Sequence, residues 1–93
     1  MRKYELMVVF GTKENKYVTG VEAVKKVLDK RSAKIESEED RGDRELAYEV
    51  ENEQHGHYHL FNLDIDPESI VKIEEDLKLV GEILKYIFVR KEG

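Results

Sequence analysis

The chain has 93 residues, no cysteine and a formal net charge of −5 at pH 7, and this length predicts a single domain, residues 1–93, with a core of modest size. The lack of cysteine excludes disulfides, thiolate metal sites and cysteine nucleophiles. The acidic balance is not typical of a protein that binds nucleic acid by itself, so any RNA contact is expected from local basic clusters, such as residues 1–34, where nine lysines or arginines face four acidic residues.

The first element is a predicted strand, KYELMVVF at residues 3–10. Its alternate side chains form one apolar face, made of Tyr4, Leu6, Val8 and Phe10. The stretch is interrupted by Glu5 and ends at Gly11, which makes it too short for a signal peptide or a membrane span. We therefore expect a cytoplasmic protein that does not engage a membrane.

A polar connector leads to a predicted helix, TGVEAVKKVLDKR at residues 19–31. Thr19 and Glu22 have the spacing of a capping box, which indicates that the helix begins there. Its apolar stripe consists of Val21, Val24, Val27 and Leu28. Its solvent side is basic, because the lysines of the helix lie mostly on that side, namely Lys25, Lys26 and Lys30.

The middle of the chain predicts a hairpin with one long arm. AKIESEED (33–40) is a weak strand and RELAYEVE (44–51) a better one, and Gly42 between them indicates a bulge or bend in one continuous strand. Residues 36–53 are strongly acidic, with nine Asp or Glu against two Arg. NEQHG (52–56) predicts the turn, and HYHLFNLDI (57–65) predicts the returning strand.

The clearest helix pattern is DPESIVKIEEDLKL at residues 66–79, with Asp66 as N-cap and Pro67 at the first helical position. Its buried stripe is predicted to be Ile70, Ile73 and Leu77. Gly81 ends this segment, and EILKYIFVR (82–90) predicts the last strand, which leads into the basic end RKEG. The order of elements predicts an α+β ferredoxin-like plait (βαββαβ): a four-stranded antiparallel sheet with both helices on one face and the other face bare.

Three short motifs suggest sites, and each has a plainer explanation. Arg41-Gly42-Asp43 spells a tripeptide read by adhesion receptors, but nothing in the chain directs export, so we interpret it as a chance match. ESEED (36–40) lacks the glycine and ligand spacing of a calcium loop and is expected to be a solvated edge. His57 and His59 project to one side, as a metal pair would, but no third ligand is evident, so we expect a partly buried, hydrogen-bonded pair and no metal.

The sequence contains no nucleophile paired with a base and no phosphate-binding loop. We therefore expect a protein that is not an enzyme and has neither a cofactor nor a small-molecule substrate. The aromatic motif by which many plaits stack RNA bases on the open sheet face is also missing.

Three stretches, in order and at the right spacing, resemble the bacterial small-subunit ribosomal protein six family. MRKYEL is similar to its N-terminus, GDRELAYEV to its central signature, and DPESIVKIEEDLKLVGEILKYIFVRK to its second helix and last strand. The chain departs from the family at Arg41, Asp43 and His59, where a tryptophan, a basic residue and an apolar residue are usual. These departures concern local RNA or partner contacts near the bend.

The resemblance implies the same plait and a structural role in the small ribosomal subunit. It implies binding of small-subunit ribosomal RNA together with ribosomal protein eighteen, a basic partner that would neutralise phosphates alongside this acidic chain. The implied RNA side lies at the start of the first strand and the end of the last, with Arg2, Lys3, Arg90 and Lys91 as candidates and Tyr4 and Lys85 as weaker ones. The alternative left open is a generic ferredoxin-like module for regulation or small-ligand binding, with or without self-association.

Overall fold

The computed structural model describes residues 1–91, so Glu92 and Gly93 of the end RKEG lie outside the described residues. The elements in chain order are β1 (Arg2–Phe10), α1 (Lys16–Lys30), β2 (Lys34–Val50), β3 (Glu53–Ile65), α2 (Ile70–Leu77) and β4 (Ile83–Arg90), with a 3-10 turn at Pro67–Ser69 before α2. The strands form one antiparallel sheet in the order β2-β3-β1-β4. The predicted plait is confirmed.

The core lies between one face of the sheet and both helices. The alternating side chains predicted for β1 are all buried, and β3 adds its own alternate set opposite them, Phe61, Leu63 and Ile65. The helices contribute Val24 and Leu28 from α1 and Ile73 and Leu77 from α2. Because both helices pack on the same side, the other side, called here the open face, is not covered by any helix among residues 1–91.

Helix α1 begins earlier than the capping-box spacing predicted. Its N-cap is Asn15, and the hydroxyl of Thr19 donates instead to the carbonyl of Asn15 (3.1 Å) and to the carboxylate of Glu82 (2.8 Å). The predicted capping box is therefore wrong. The extra turn is held by packing, since the ring of Tyr17 lies edge-on against Phe10 with 5.9 Å between centroids.

Strand β2 confirms the predicted bend in one long strand. Gly42 has a φ of 83°, in the left-handed region that favours glycine, and the pairing with β3 shifts register between Asp40 and Gly42. The Asp40 carboxylate accepts the Gly42 N–H at 2.8 Å, which fixes the bulge. Arg41 and Asp43 are thus exposed strand residues on either side of a bulge.

The hairpin turn is shorter and earlier than predicted. It consists of Glu51 and Asn52, whose φ values of 47° and 65° are those of a two-residue hairpin turn, and β3 already begins at Glu53. Gly56, predicted to lie in the turn, is a buried strand residue. A Cβ at this position would collide with the side chain of Val9, so Gly56 is needed for close approach rather than for a turn.

The second helix begins as predicted but is shorter. The Asp66 carboxylate accepts the N–H of Glu68 at 3.0 Å, and Pro67 occupies the first position of the 3-10 turn. Arg31, after the end of α1, donates to both carboxylate oxygens of Asp76 at 2.8 and 3.2 Å. This bidentate pair joins the two helices.

Candidate nucleic-acid and protein interface

The start of β1 and the end of β4 lie side by side, as the predicted site requires. Tyr4 is directly opposite Arg90, and the Lys91 N–H donates to the Lys3 carbonyl at 2.9 Å. Arg2 is two residues before Tyr4 on β1, so Arg2 and Arg90 are diagonal neighbours across the two strands. Such neighbours lie about 7–8 Å apart between Cα atoms. The fold thus brings together five of the six candidates, namely Arg2, Lys3, Tyr4, Arg90 and Lys91.

Lys85 does not belong to this group. It pairs opposite Val9, six residues along β4 from Lys91, which corresponds to about 20 Å of strand. Its ammonium group lies instead 5.7 Å from the centre of the Tyr48 ring. Any role of Lys85 in binding is therefore separate from that of the strand ends.

The basic residues at the strand ends divide between the two faces of the sheet. Arg2 pairs opposite Ile65 and Arg90 opposite Tyr4, both core residues, so these arginines lie on the helix side. Lys3 and Lys91 therefore lie on the open face, since neighbours along a strand alternate. We call Arg2 and Arg90 the terminal arginine pair.

The two lysines are compensated by acidic groups, whereas the arginines are not compensated by any acidic group among residues 1–91. Lys3 donates to Glu36 at 2.7 Å and Asp64 at 3.3 Å, and the hydrogen bond to Glu36 is the main cause that raises the pKa of Lys3. Lys91 donates to Asn62 at 2.6 Å and lies 3.7 Å from Glu5. Within residues 1–91, no carboxylate lies within ion-pair distance of the terminal arginine pair.

Tyr4 is too buried for its ring to be a typical nucleic-acid contact. Its side chain is 9 % exposed and belongs to the core, where its ring meets Phe88 edge-on at 6.5 Å. A ring in this position cannot stack on an RNA base. Tyr4 supports the strand ends by packing, and a direct RNA contact by this residue stays a prediction.

The open face has an apolar centre, which we call the open-face patch and define as Met7, Val9, Tyr58, Ile87 and Val89. Ile87 and Val89 are 58 % and 46 % exposed. A cavity of about 320 Å³ opens here, lined by Met7, Val9, Tyr58, Lys85, Tyr86 and Ile87. Exposed apolar surface of this kind, rimmed by charged residues, is typical of a protein-binding surface.

The histidines form a hydrogen-bonded cluster on the helix side of β2 and β3, as predicted. His59 is 5 % exposed, and its Nε2 lies 2.9 Å from a Glu38 oxygen while its Nδ1 lies 2.8 Å from the Tyr17 hydroxyl. Because an ionised carboxylate only accepts, His59 Nε2 donates to Glu38, while Nδ1 shares a hydrogen bond with the Tyr17 hydroxyl. Burial, with the nearby Asp40 carboxylate, raises the pKa of Tyr17 to about 12.

His57 completes this cluster. It is hydrogen-bonded to Asp40, and its ring stacks on Tyr17 with 3.5 Å between centroids. Neither Tyr17 nor the acidic partners of the histidines were predicted from the sequence. The sequence contained a signal for the acidic partners. Every second residue of ESEED is acidic, and two of these acids lie on the same face as His57 and His59 once β2 and β3 pair. Residues 1–91 contain no group of three potential metal ligands.

We expect the free energy of unfolding to fall as the pH drops below about 4.5. Burial opposes ionisation of Glu38, but hydrogen bonds from Lys25 and His59 outweigh it, so its pKa is lowered from 4.5. His57 lowers the pKa of Asp40, and Arg31 lowers that of Asp76, both from 3.8. A group whose pKa is lower in the folded than in the unfolded state stabilises the protein at pH values above its unfolded-state pKa. This stabilisation is lost as the pH falls through the folded-state pKa.

Urea midpoints measured from about pH 7 to about pH 3 check this expectation. The variant Asp76→Asn removes one of the three groups, so its stability should change less over the acid range than that of the unmodified chain. An identical acid dependence in both proteins would show that the Arg31–Asp76 pair contributes nothing to it.

No helix among the described residues is both long and apolar enough to cross a membrane.

Comparison with known proteins identifies relatives along nearly the whole chain. Residues 3–90 match the model of a family described as Ribosomal protein S6. The chain is 42 % identical over 92 residues to the small ribosomal subunit protein bS6 of Treponema denticola, a match that covers 99 % of each chain. It is 37 % identical to the protein of the same name from Treponema pallidum, with 100 % of both chains covered.

The solved structures agree with these matches. The 30S ribosomal protein S6 of Thermotoga maritima superposes with a TM-score of 0.86 at 27 % identity, covering 97 % of this chain and 87 % of that one. An uncharacterized protein of Thermotoga maritima superposes with a TM-score of 0.60 at 20 % identity, covering 98 % of each chain, and shows a shared fold only.

Proposed function

The chain belongs to the ribosomal protein S6 family of the small ribosomal subunit, and on that premise we propose that it binds small-subunit ribosomal RNA jointly with ribosomal protein eighteen. Its role is structural rather than catalytic. The proposal implies a ribosome-associated protein in the bacterial cytoplasm. The observation that carries it is the division of the strand ends into two arginines without an ion-pair partner among residues 1–91 on one face and an apolar patch beside two ion-paired lysines on the other.

The terminal arginine pair supports the RNA contact. Phosphate contacts need cations that are not already paired with carboxylates, because an existing ion pair must be broken before phosphate can replace it. Arg2 and Arg90 meet this requirement within residues 1–91, while Lys3 and Lys91 do not. The guanidinium group also binds phosphate in a bidentate manner, which an ammonium group cannot do.

The open-face patch supports the protein contact. Around it, Arg41 pairs with Glu39 at 3.5 Å, and the Arg44 guanidinium lies 5.9 Å from the centre of the Tyr58 ring. This leaves apolar side chains as the main unpartnered groups, and burial of apolar surface drives most protein association. The partner's basic charge would then add to that of the terminal arginine pair along the RNA.

Binding of a small-subunit ribosomal RNA fragment, with and without purified ribosomal protein eighteen, tests the proposal. We expect little binding by this acidic chain alone and tight binding when the partner is present, with a scrambled RNA of equal length as control. Equal affinity with and without the partner would show that the chain binds RNA unaided. Lack of binding under both conditions would overturn the proposal.

The same assay tests the open face. The variant Ile87→Glu introduces a charge into the open-face patch and should abolish joint binding, because a buried unpaired charge is costly. Val71→Glu is the matched control, since Val71 is 64 % exposed but lies on α2, away from the open face. If both variants bind alike, the partner does not use this face.

A further inference from the structure

Glu53 is a buried carboxylate at the start of β3 that neither proposed surface uses. Only 4 % of it is exposed. Its Oε1 accepts the N–H of Thr12 at 3.0 Å and the Thr12 hydroxyl at 3.4 Å, and its Oε2 lies 3.6 Å from the Lys16 ammonium group. Buried charge is retained where hydrogen bonds and an opposite charge compensate it. The carboxylate therefore ties the first residue of β3 to the loop between β1 and α1.

The loop is shaped to receive this carboxylate. A Cβ at Gly11 would lie 2.6 Å from Glu53 Oε2 and 2.7 Å from the Lys16 side chain, closer than real Cβ contacts. A side chain at this position would have to displace the Glu53 carboxylate or the Lys16 chain. The contact is thus a close-packed junction, and its carboxylate is less exposed than that of any other ion pair among residues 1–91.

The junction holds a part of the hairpin that β1 does not reach. Pairing between β1 and β3 runs only from His57 to Ile65, so residues 44–56 extend past the end of β1. On the open side of this extension, Leu46 is 7 % exposed and lies beside Gly56 and Val9. The hairpin end is therefore fixed from both sides, by Glu53 on the helix side and by apolar contacts on the open side.

Tyr48 is an exposed side chain on this end of the hairpin. It is 67 % exposed, and its ring lies 5.7 Å from the ammonium group of Lys85, which lines the open-face cavity. Strands β2 and β4 are the two outer strands of the sheet. The contact of Tyr48 on β2 with Lys85 on β4 shows that the end of the hairpin, residues 44–56, extends toward β4, so that Tyr48 lies beside the cavity.

We propose that Glu53 is a positioning residue, whose buried carboxylate holds the hairpin end so that Tyr48 contacts ribosomal protein eighteen at the edge of the open-face cavity. This inference rests on the proposed docking of that partner on the open face. An exposed tyrosine at the rim of an apolar cavity is a typical anchor for a protein partner, since it adds contact area at little entropic cost. Without the junction, the hairpin end would sample positions in which Tyr48 is away from the cavity.

A double-mutant cycle tests the inference, with the dissociation constant for purified ribosomal protein eighteen on the ribosomal RNA fragment as readout. Glu53→Ala should raise this constant about tenfold, the effect expected if the competent position falls to about a tenth of the population. Tyr48→Ala should raise it by a similar factor. The double variant should bind no worse than either single variant, because Glu53 acts through the position of Tyr48.

Glu51→Ala is the matched control, since it removes the same charge from the exposed turn two residues away, and it should leave the constant unchanged. Hydrogen exchange should accelerate at residues 44–56 in Glu53→Ala and stay unchanged in β1. Additive effects in the cycle, or normal binding by Glu53→Ala, would overturn the inference. If the unmodified chain does not bind with its partner at all, the proposed function itself is wrong.

Should Glu53→Ala fail to fold, Glu53→Gln replaces it in the cycle. The amide oxygen can still accept from Thr12, while the charge facing Lys16 is lost. We expect a smaller loss of binding in the same direction, again not additive with Tyr48→Ala. Normal binding by Glu53→Gln would then overturn the inference.

Discussion

Replacing Leu77 with alanine is expected to lower the free energy of unfolding by about 2–5 kcal/mol, the range for buried leucine truncations. Leu77 is 1 % exposed and lies in the core between α2 and the sheet. Helix α2 has only 8 residues and buries only Ile73 and Leu77 completely. An isolated helix of that length is unstable in water, so its stability comes from these contacts.

Leu79→Ala provides the control within the same segment. Leu79 is 84 % exposed, and exposed substitutions change stability by about 0.5 kcal/mol or less. Thermal unfolding should therefore separate the two variants by about 6 °C or more, since 1 kcal/mol shifts the midpoint of a domain of this size by about 4–8 °C. Equal midpoints would mean that the side of α2 facing the sheet is assigned incorrectly.

Removing the terminal arginine pair with Arg2→Ala and Arg90→Ala is expected to weaken RNA binding in the joint complex about a hundredfold or more. Each charged hydrogen bond to phosphate contributes about 1.5 kcal/mol or more. The slope of the logarithm of affinity against the logarithm of salt concentration should fall by about two, one for each lost phosphate contact. The thermal midpoint should be nearly unchanged, because both side chains are exposed.

Lys26→Ala with Lys72→Ala is the control for overall charge. Both lysines are exposed on the helices, and their removal changes the net charge by the same amount. This control should bind with a nearly normal salt slope. If instead the control loses binding and the arginine variant does not, the RNA contacts the helices rather than the strand ends.

The fold could be predicted where a residue pattern reports a local preference. Alternation in β1 predicted buried residues, and Asp66-Pro67 predicted where the second helical segment begins; the structure confirms both. Gly42 predicted the bend because a positive φ favours glycine. The hairpin turn was missed because Glu51 and Asn52 adopt positive φ without being glycine, while Gly56 imitates a turn residue. Local signals cannot distinguish a glycine needed for close packing from one needed for a turn.

The candidate site was predictable as a location but not in its charge balance. The topology of the plait predicted that the start of β1 lies beside the end of β4. Whether a basic residue there is free to bind phosphate depends on neighbours distant in sequence, such as Glu36 and Asp64 around Lys3. The role of Glu53 depends in the same way on Thr12, Lys16 and the absence of a side chain at Gly11.

The position of β1 between β3 and β4 has a consequence for how the chain folds as it is synthesised. Tyr4 pairs with Arg90, which is synthesised 86 residues after it. Until β4 leaves the ribosome, β1 can pair only on the side facing β3, and its other edge remains open. Pairings of such long sequence separation form slowly compared with local ones. Every newly made copy therefore passes through a state with an exposed strand edge, and the last eight residues of the sheet, Ile83–Arg90, close that edge.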